Sequence, residues 1–173
     1  MSLLVPESRP APPPAPAWPN DLEEVLECIE VQSALEALGA RWAAERGISP
    51  AQATAVRAYL SEIDALLQTA NASVAALLEY VRLDRLFHRS VLELAHCDTL
   101  SRYTEAEAAT VLTVPEVTRL MTSNPERLQA FLLIEQDQHH RIVEAVESGM
   151  GARAESLVRE HGRLARRHLT ALA

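Results

Sequence analysis

The chain has 173 residues, 48% hydrophobic but only 4% aromatic, a net charge of -8, and arginine as its sole basic side chain beside six histidines. That length suits one domain with a sizeable core, and the acidic balance excludes a nucleic-acid grip by this chain alone, which needs a basic face. No apolar run reaches membrane-spanning length, residues 1–20 lack the basic start and apolar middle of a signal peptide, and Cys28 and Cys97 are isolated thiols, so a soluble cytoplasmic protein is expected.

In chain order, residues 1–20 hold most of the prolines, including Pro12, Pro13 and Pro14, and read as an extended arm or linker. Residues 21–173 read as one helical domain. Asn20 or Asp21 caps a first helix running to Arg46, where Gly47 stops it. Ser49-Pro50 opens a second helix reaching Thr69, in the cap-then-proline order. A third starts at Asn71–Ser73 and fades near His96. A fourth is predicted over Asp98–Leu112, and a short fifth over Val114–Thr122 with Pro115 in its first turn. Asn124-Pro125-Glu126 starts a helix reaching Ser148, and Gly151 precedes the last one, which runs almost to Ala173. No stretch alternates like a strand, and Ala, Leu, Glu and Arg dominate. The expected fold is all-α, an antiparallel bundle of about six helices.

Chemistry concentrates on the histidines. Asp84 and His88 stand four apart on the third helix, so both lie on one face, with Tyr80 a turn before and Leu92 a turn after. His139 shares a face with Leu132, Ile142, Val143 and Val146, whereas His140 turns toward Glu144 and Glu147. His161 sits between Leu157, Val158 and Leu164, Ala165 on the apolar stripe of the last helix, and His168 lies two turns further along it. A hydrogen-bonded core position is the plain alternative for any one of these. Together, Asp84, His88, His139 and His161 make an oxygen-plus-three-nitrogen set suited to a divalent transition metal: zinc, nickel, manganese or iron. Tyr80, Arg119 and Gln32 are the candidates for ligand contact around it.

The ordered combination Glu30-Val31-Gln32, Leu35-Glu36, Ala43-Ala44-Glu45-Arg46, Asp84 with Phe87-His88, His139 with Ile142 and Ala145-Val146, and Arg159 with His161 resembles the FadR C-terminal (FCD) ligand-binding domain of GntR-type transcription regulators, over residues 21–173. The resemblance implies an all-helical bundle in which the matching aspartate and three histidines bind a divalent metal that helps hold a small organic acid, and a domain that dimerises. Gln32 stands where the family often has arginine, and Gln138 where it usually has glutamate. The family's N-terminal winged helix-turn-helix is missing from this sequence, which implies no DNA binding by this chain alone.

The leading expectation is therefore a metal-dependent sensor of a small carboxylate, transmitting ligand state through a homodimer, and not an enzyme. A metal-dependent hydrolase is the alternative, with His96 and Glu135 as the only candidate bases. A plain helical dimerisation module is the third reading.

Overall fold

The computed structural model describes residues 21–69, 73–107 and 115–173, so the proline-rich arm expected at residues 1–20 lies outside the described residues. Seven helices stand among them: α1 (Leu22–Arg46), α2 (Pro50–Thr69), α3 (Val74–Glu93), α4 (Asp98–Glu107), α5 (Pro115–Thr122), α6 (Pro125–Glu147) and α7 (Gly151–Thr170). The expected bundle of about six thus appears as five long helices and two short ones. The predicted extension of the fourth helix to Leu112 falls outside the described residues.

The ends are set by local chemistry. Asp21 accepts from the Glu24 backbone N–H, Ser73 from that of Ala76 and Asn124 from that of Arg127, each satisfying a donor that the first turn leaves free. At the end of α6, Met150 N–H bonds Ala145 O and Gly149 N–H bonds Val146 O. This two-bond closure needs a left-handed residue, which Gly149 supplies at φ 68°. The chain then turns straight into α7, which packs back on α6.

Packing closes the five long helices into a ring. α1 lies along α7, α7 against α6, α6 against α2, α2 against α3, and α3 against α1. α4 rests on α1 and α3, while α5 rests on α6 and α7. The α1–α7 seam is close because the facing residues are small. A Cβ added at Gly162 would stand 1.9 Å from Ser33 Oγ, and Ala37, Ala40 and Ala154 are fully buried nearby in the same core. Arg46 reaches from the end of α1 to the carbonyls of Ala95 and His96, holding the chain as it leaves α3. The centre of the ring is filled by Leu60, Ile63, Leu77, Tyr80, Phe87, Leu128 and Ile142, each at most 1% exposed.

Candidate metal centre

Three helices of the ring aim chelating side chains at one point. α3 delivers Asp84 and His88 from consecutive turns, α6 delivers His139, and α7 delivers His161. Phe87 is fully buried between them, its ring 4.5 Å from that of His139 and 5.2 Å from that of His88, which limits where both imidazoles can lie. One ligand atom from each of the four residues falls within 4.8 Å of the other three. His139 Nε2 is 3.3 Å from His161 Nε2 and 3.3 Å from Asp84 Oδ1, and His88 Nε2 is 3.7 Å from that oxygen. Metal–nitrogen bonds of about 2.0–2.1 Å place neighbouring ligand atoms roughly 3.0–3.4 Å apart, the spacing of the His139–His161 and His139–Asp84 pairs, while His88 stands slightly further out.

The protons on these rings can be placed from their outer partners. His139 Nδ1 is 3.1 Å from Gln136 Oε1, and His161 Nδ1 is 3.1 Å from Gln138 Oε1. An amide oxygen only accepts, so both rings carry their proton on Nδ1 and point an Nε2 lone pair inward. His88 Nδ1 is 2.9 Å from Glu36 Oε2, which fixes that ring the same way round. Burial holds His139 and His161 well below the ordinary histidine range, with neighbouring imidazoles adding to the effect, so both are neutral. Two lone pairs and a carboxylate oxygen therefore face one another at 3.3 Å. Asp84 Oδ1 is buried with no hydrogen-bond partner and faces the His88 ring only at 3.7 Å, an arrangement that costs free energy and that a closer cation would relieve. The donor set fits a divalent transition ion.

Charge around the cluster is unevenly shared. Burial raises Asp84 to about 6, against the pull of a charged His88. Desolvation works to lower His88, but the charges of Glu36 and Asp84 and the hydrogen bond that the ring donates to Glu36 overcome it and raise this ring to about 9. Tyr80 is fully buried beneath the site, and its hydroxyl donates to Glu135 Oε2 at 3.3 Å. Desolvation, with Asp84 nearby, pushes Glu135 well above the carboxylate range. A carboxyl held neutral is a poor base, and His96 is exposed with its Nε2 3.4 Å from Gln52.

A cavity of about 460 Å³ opens beside the cluster, between α1, α3 and α4, and Asp84 and His88 form part of its wall. Gln32 lines it, its amide nitrogen donating to Glu36 Oε1 at 2.7 Å. Three arginines of α3, Arg82, Arg85 and Arg89, stand along its rim. The structure thus brings Asp84, His88, His139, His161 and Gln32 together and puts Tyr80 directly behind them. Arg119 lies on an exposed face of α5, apart from the residues lining this cavity.

The sequence alone does not disclose the roles of Glu36, Gln136 and Asp64. Glu36 enters it only as part of a motif, and a glutamine on an apolar stripe gives no sign of what it will orient. His140, expected at a flank, is half-buried against Asp64 of α2, 3.1 Å from Oδ2. His168 stacks on Phe131 with ring centroids 3.8 Å apart, away from the cluster.

Among curated proteins, no sequence matches this chain. The FCD domain family model matches residues 27–164, which takes in all four converging residues, the whole of α2, α3 and α6, and most of α1 and α7. With that match over most of its length, an all-helical fold and a pocket beside converging imidazoles, the chain belongs to the FCD domain family, the ligand-sensing domains of transcription regulators.

Proposed function

We propose that this chain is the sensing domain of a GntR-type regulator, holding zinc, nickel, manganese or iron at Asp84, His88, His139 and His161 and binding a small organic acid in the adjoining cavity. The observation that carries the reading is the set of mutually facing acceptors. Two neutral imidazoles and an unpartnered buried carboxylate oxygen converge at 3.3 Å, and each imidazole is oriented from behind. Outer hydrogen bonds of that kind are the usual support of metal-ligating histidine. A divalent ion bound there supplies positive charge and open positions that attract a carboxylate oxygen.

The chain's own residues do the rest. Gln32 presents a polar group to the cavity while bracing Glu36, and Glu36 in turn orients His88. Arg82, Arg85 and Arg89 bring positive charge to the mouth that a carboxylate can draw on, Arg82 and Arg89 sharing theirs with Glu79 and Glu93 of the same helix. Acting in the cytoplasm as a homodimer, the domain reports the effector by favouring one arrangement of its protomers, and DNA contact is left to a separate domain.

Elemental analysis of the purified protein is expected to find close to one transition metal per chain. Alanine at His139 or His161 removes it, and full retention in a variant lacking all four side chains sinks the assignment. A thermal-shift panel of mono-, di- and tricarboxylates then tests the effector class on metal-loaded and chelator-stripped protein. At a hundredfold excess over its dissociation constant, a ligand of the folded state adds about 2.7 kcal/mol. Equal shifts in both samples place the acid away from the metal.

A further inference from the structure

Behind His139, away from the cavity, a line of hydrogen bonds leads out of the core. Gln136, 4% exposed, uses its amide oxygen for His139 Nδ1. Its amide nitrogen donates to Asp64 Oδ1 at 2.8 Å and to the Leu60 backbone carbonyl at 3.0 Å, both on α2. Those two acceptors decide which way round the amide sits, since reversing it would set its oxygen against a carbonyl and a carboxylate. The proton on His139 is thus dictated from α2. Asp64 itself is 38% exposed, and His140 Nε2 stands 3.2 Å from its Oδ1, 3.1 Å from its Oδ2 and 3.3 Å from Gln136 Nε2.

We propose that Asp64 is a positioning residue for the metal centre, acting through the Gln136 amide on His139. The inference rests on the metal reading above and adds a control point on a helix that contributes no ligand. A carboxylate bonded directly to a ligating histidine raises the basicity of the ring. Here the amide is interposed: the Asp64 charge polarises the Gln136 N–H, the amide oxygen becomes a stronger acceptor, and the His139 Nδ1–H bond is drawn out in turn. Chains of hydrogen bonds strengthen one another in this way in a poorly solvated interior. His139 Nε2 becomes the better electron-pair donor toward the centre.

The test is a chelator-competition titration with zinc on the wild type, Asp64→Ala, Asp64→Asn, Gln136→Met and the Asp64→Ala/Gln136→Met pair. Gln136→Met keeps the side-chain length and removes the acceptor, and it lowers zinc affinity roughly 10–100-fold. Asp64→Ala lowers it by a smaller factor, and Asp64→Asn, which keeps an acceptor but not the charge, falls between Asp64→Ala and wild type. In the pair, Asp64→Ala adds nothing to Gln136→Met, because the amide relay it works through is broken; such non-additivity marks a shared path. Glu62→Gln, which removes an exposed charge from the same helix, leaves affinity unchanged.

A second readout does not depend on metal. Nitrogen-15 NMR of chelator-stripped protein is expected to show His139 protonated at Nδ1 in the wild type, and a mixture of the two tautomers in Gln136→Met. A proton on Nε2 in the stripped wild type overturns the inference. So does an Asp64→Ala substitution that leaves zinc affinity unchanged on its own or lowers it undiminished beside Gln136→Met, and so does an equal effect of Glu62→Gln. Wild-type protein that takes up none of zinc, nickel, manganese and iron removes the metal reading, and the tautomer measurement still decides whether Gln136 and α2 set the ring.

Discussion

At the scale of single residues, His88 is the ring on which pH acts. Its neutral form is needed for ligation, yet Glu36 and Asp84 raise it to about 9 in the metal-free fold. Metal uptake at pH 7.5 is therefore expected to release about one proton per chain, since a ligand must give up its proton to bind. Titration calorimetry in buffers of different ionisation enthalpy reads that number directly. The release falls toward zero above pH 9, and apparent affinity climbs with pH until then. For stability the sign is opposite. A histidine raised above its unfolded value stabilises the metal-free fold fully below about pH 6.5, and that contribution is lost as pH rises through 9. The melting temperature of stripped protein thus drops between about pH 7 and 9, while the metal-loaded form is spared this loss. A His88→Ala variant that keeps the same drop contradicts the assignment.

The four converging residues are legible in the sequence because helical spacing places Asp84 over His88 and sets His139 and His161 on apolar stripes, and because their chemistry is unusual there. Asp64 and Gln136 are not legible. Their roles depend on α2 packing against α6, and nothing in either helix alone names its neighbour. Gln138 stands out in the sequence only as a departure from a family habit, although it occupies the orienting position behind His161.

Among the elements, the α1–α7 seam governs where His161 ends up. Gly162 follows it directly, and a Cβ there would stand 1.9 Å from Ser33 Oγ and 2.6 Å from Ser33 Cβ. Gly162→Ala gains up to about 1 kcal/mol in helix propensity but meets an overpacking cost of roughly 1–3 kcal/mol, so net destabilisation is expected. Ser33→Gly in the same chain removes both colliding atoms and restores the packing. Urea unfolding of the single and double variants measures this; a Ser33→Gly change that fails to recover stability would place the strain elsewhere. Helix limits are readable where a cap chemistry exists, as at Asp21, Ser73, Asn124 and Gly149.

For the whole molecule, the sequence points to helices but not to the order in which they touch. α1 and α2 are neighbours in the chain and barely meet, whereas α1 and α7 form the most extensive contact. No helix among the described residues is long and apolar enough to cross a membrane. Each apolar stripe needs cover from another element. That requirement selects a closed ring over an open row, but many closures satisfy the same stripes. Only the small residues of α1 and α7, read together, hint at this one.

Ring closure also bears on time. The contacts that seal the domain join its first long helix to its last, and those with the greatest separation along the chain are costly to form early in folding. An ion that ties α3 to α6 and α7 then strengthens the finished fold more than its transition state. Stabilisation of that kind is expressed as slower unfolding with little change in the folding rate. Stopped-flow measurements with and without zinc should show the unfolding arm displaced and the refolding arm nearly unmoved, and the reverse pattern would mean the centre assembles first. The metal supply would then set how long each copy of the domain survives between openings, and so its exposure to proteases.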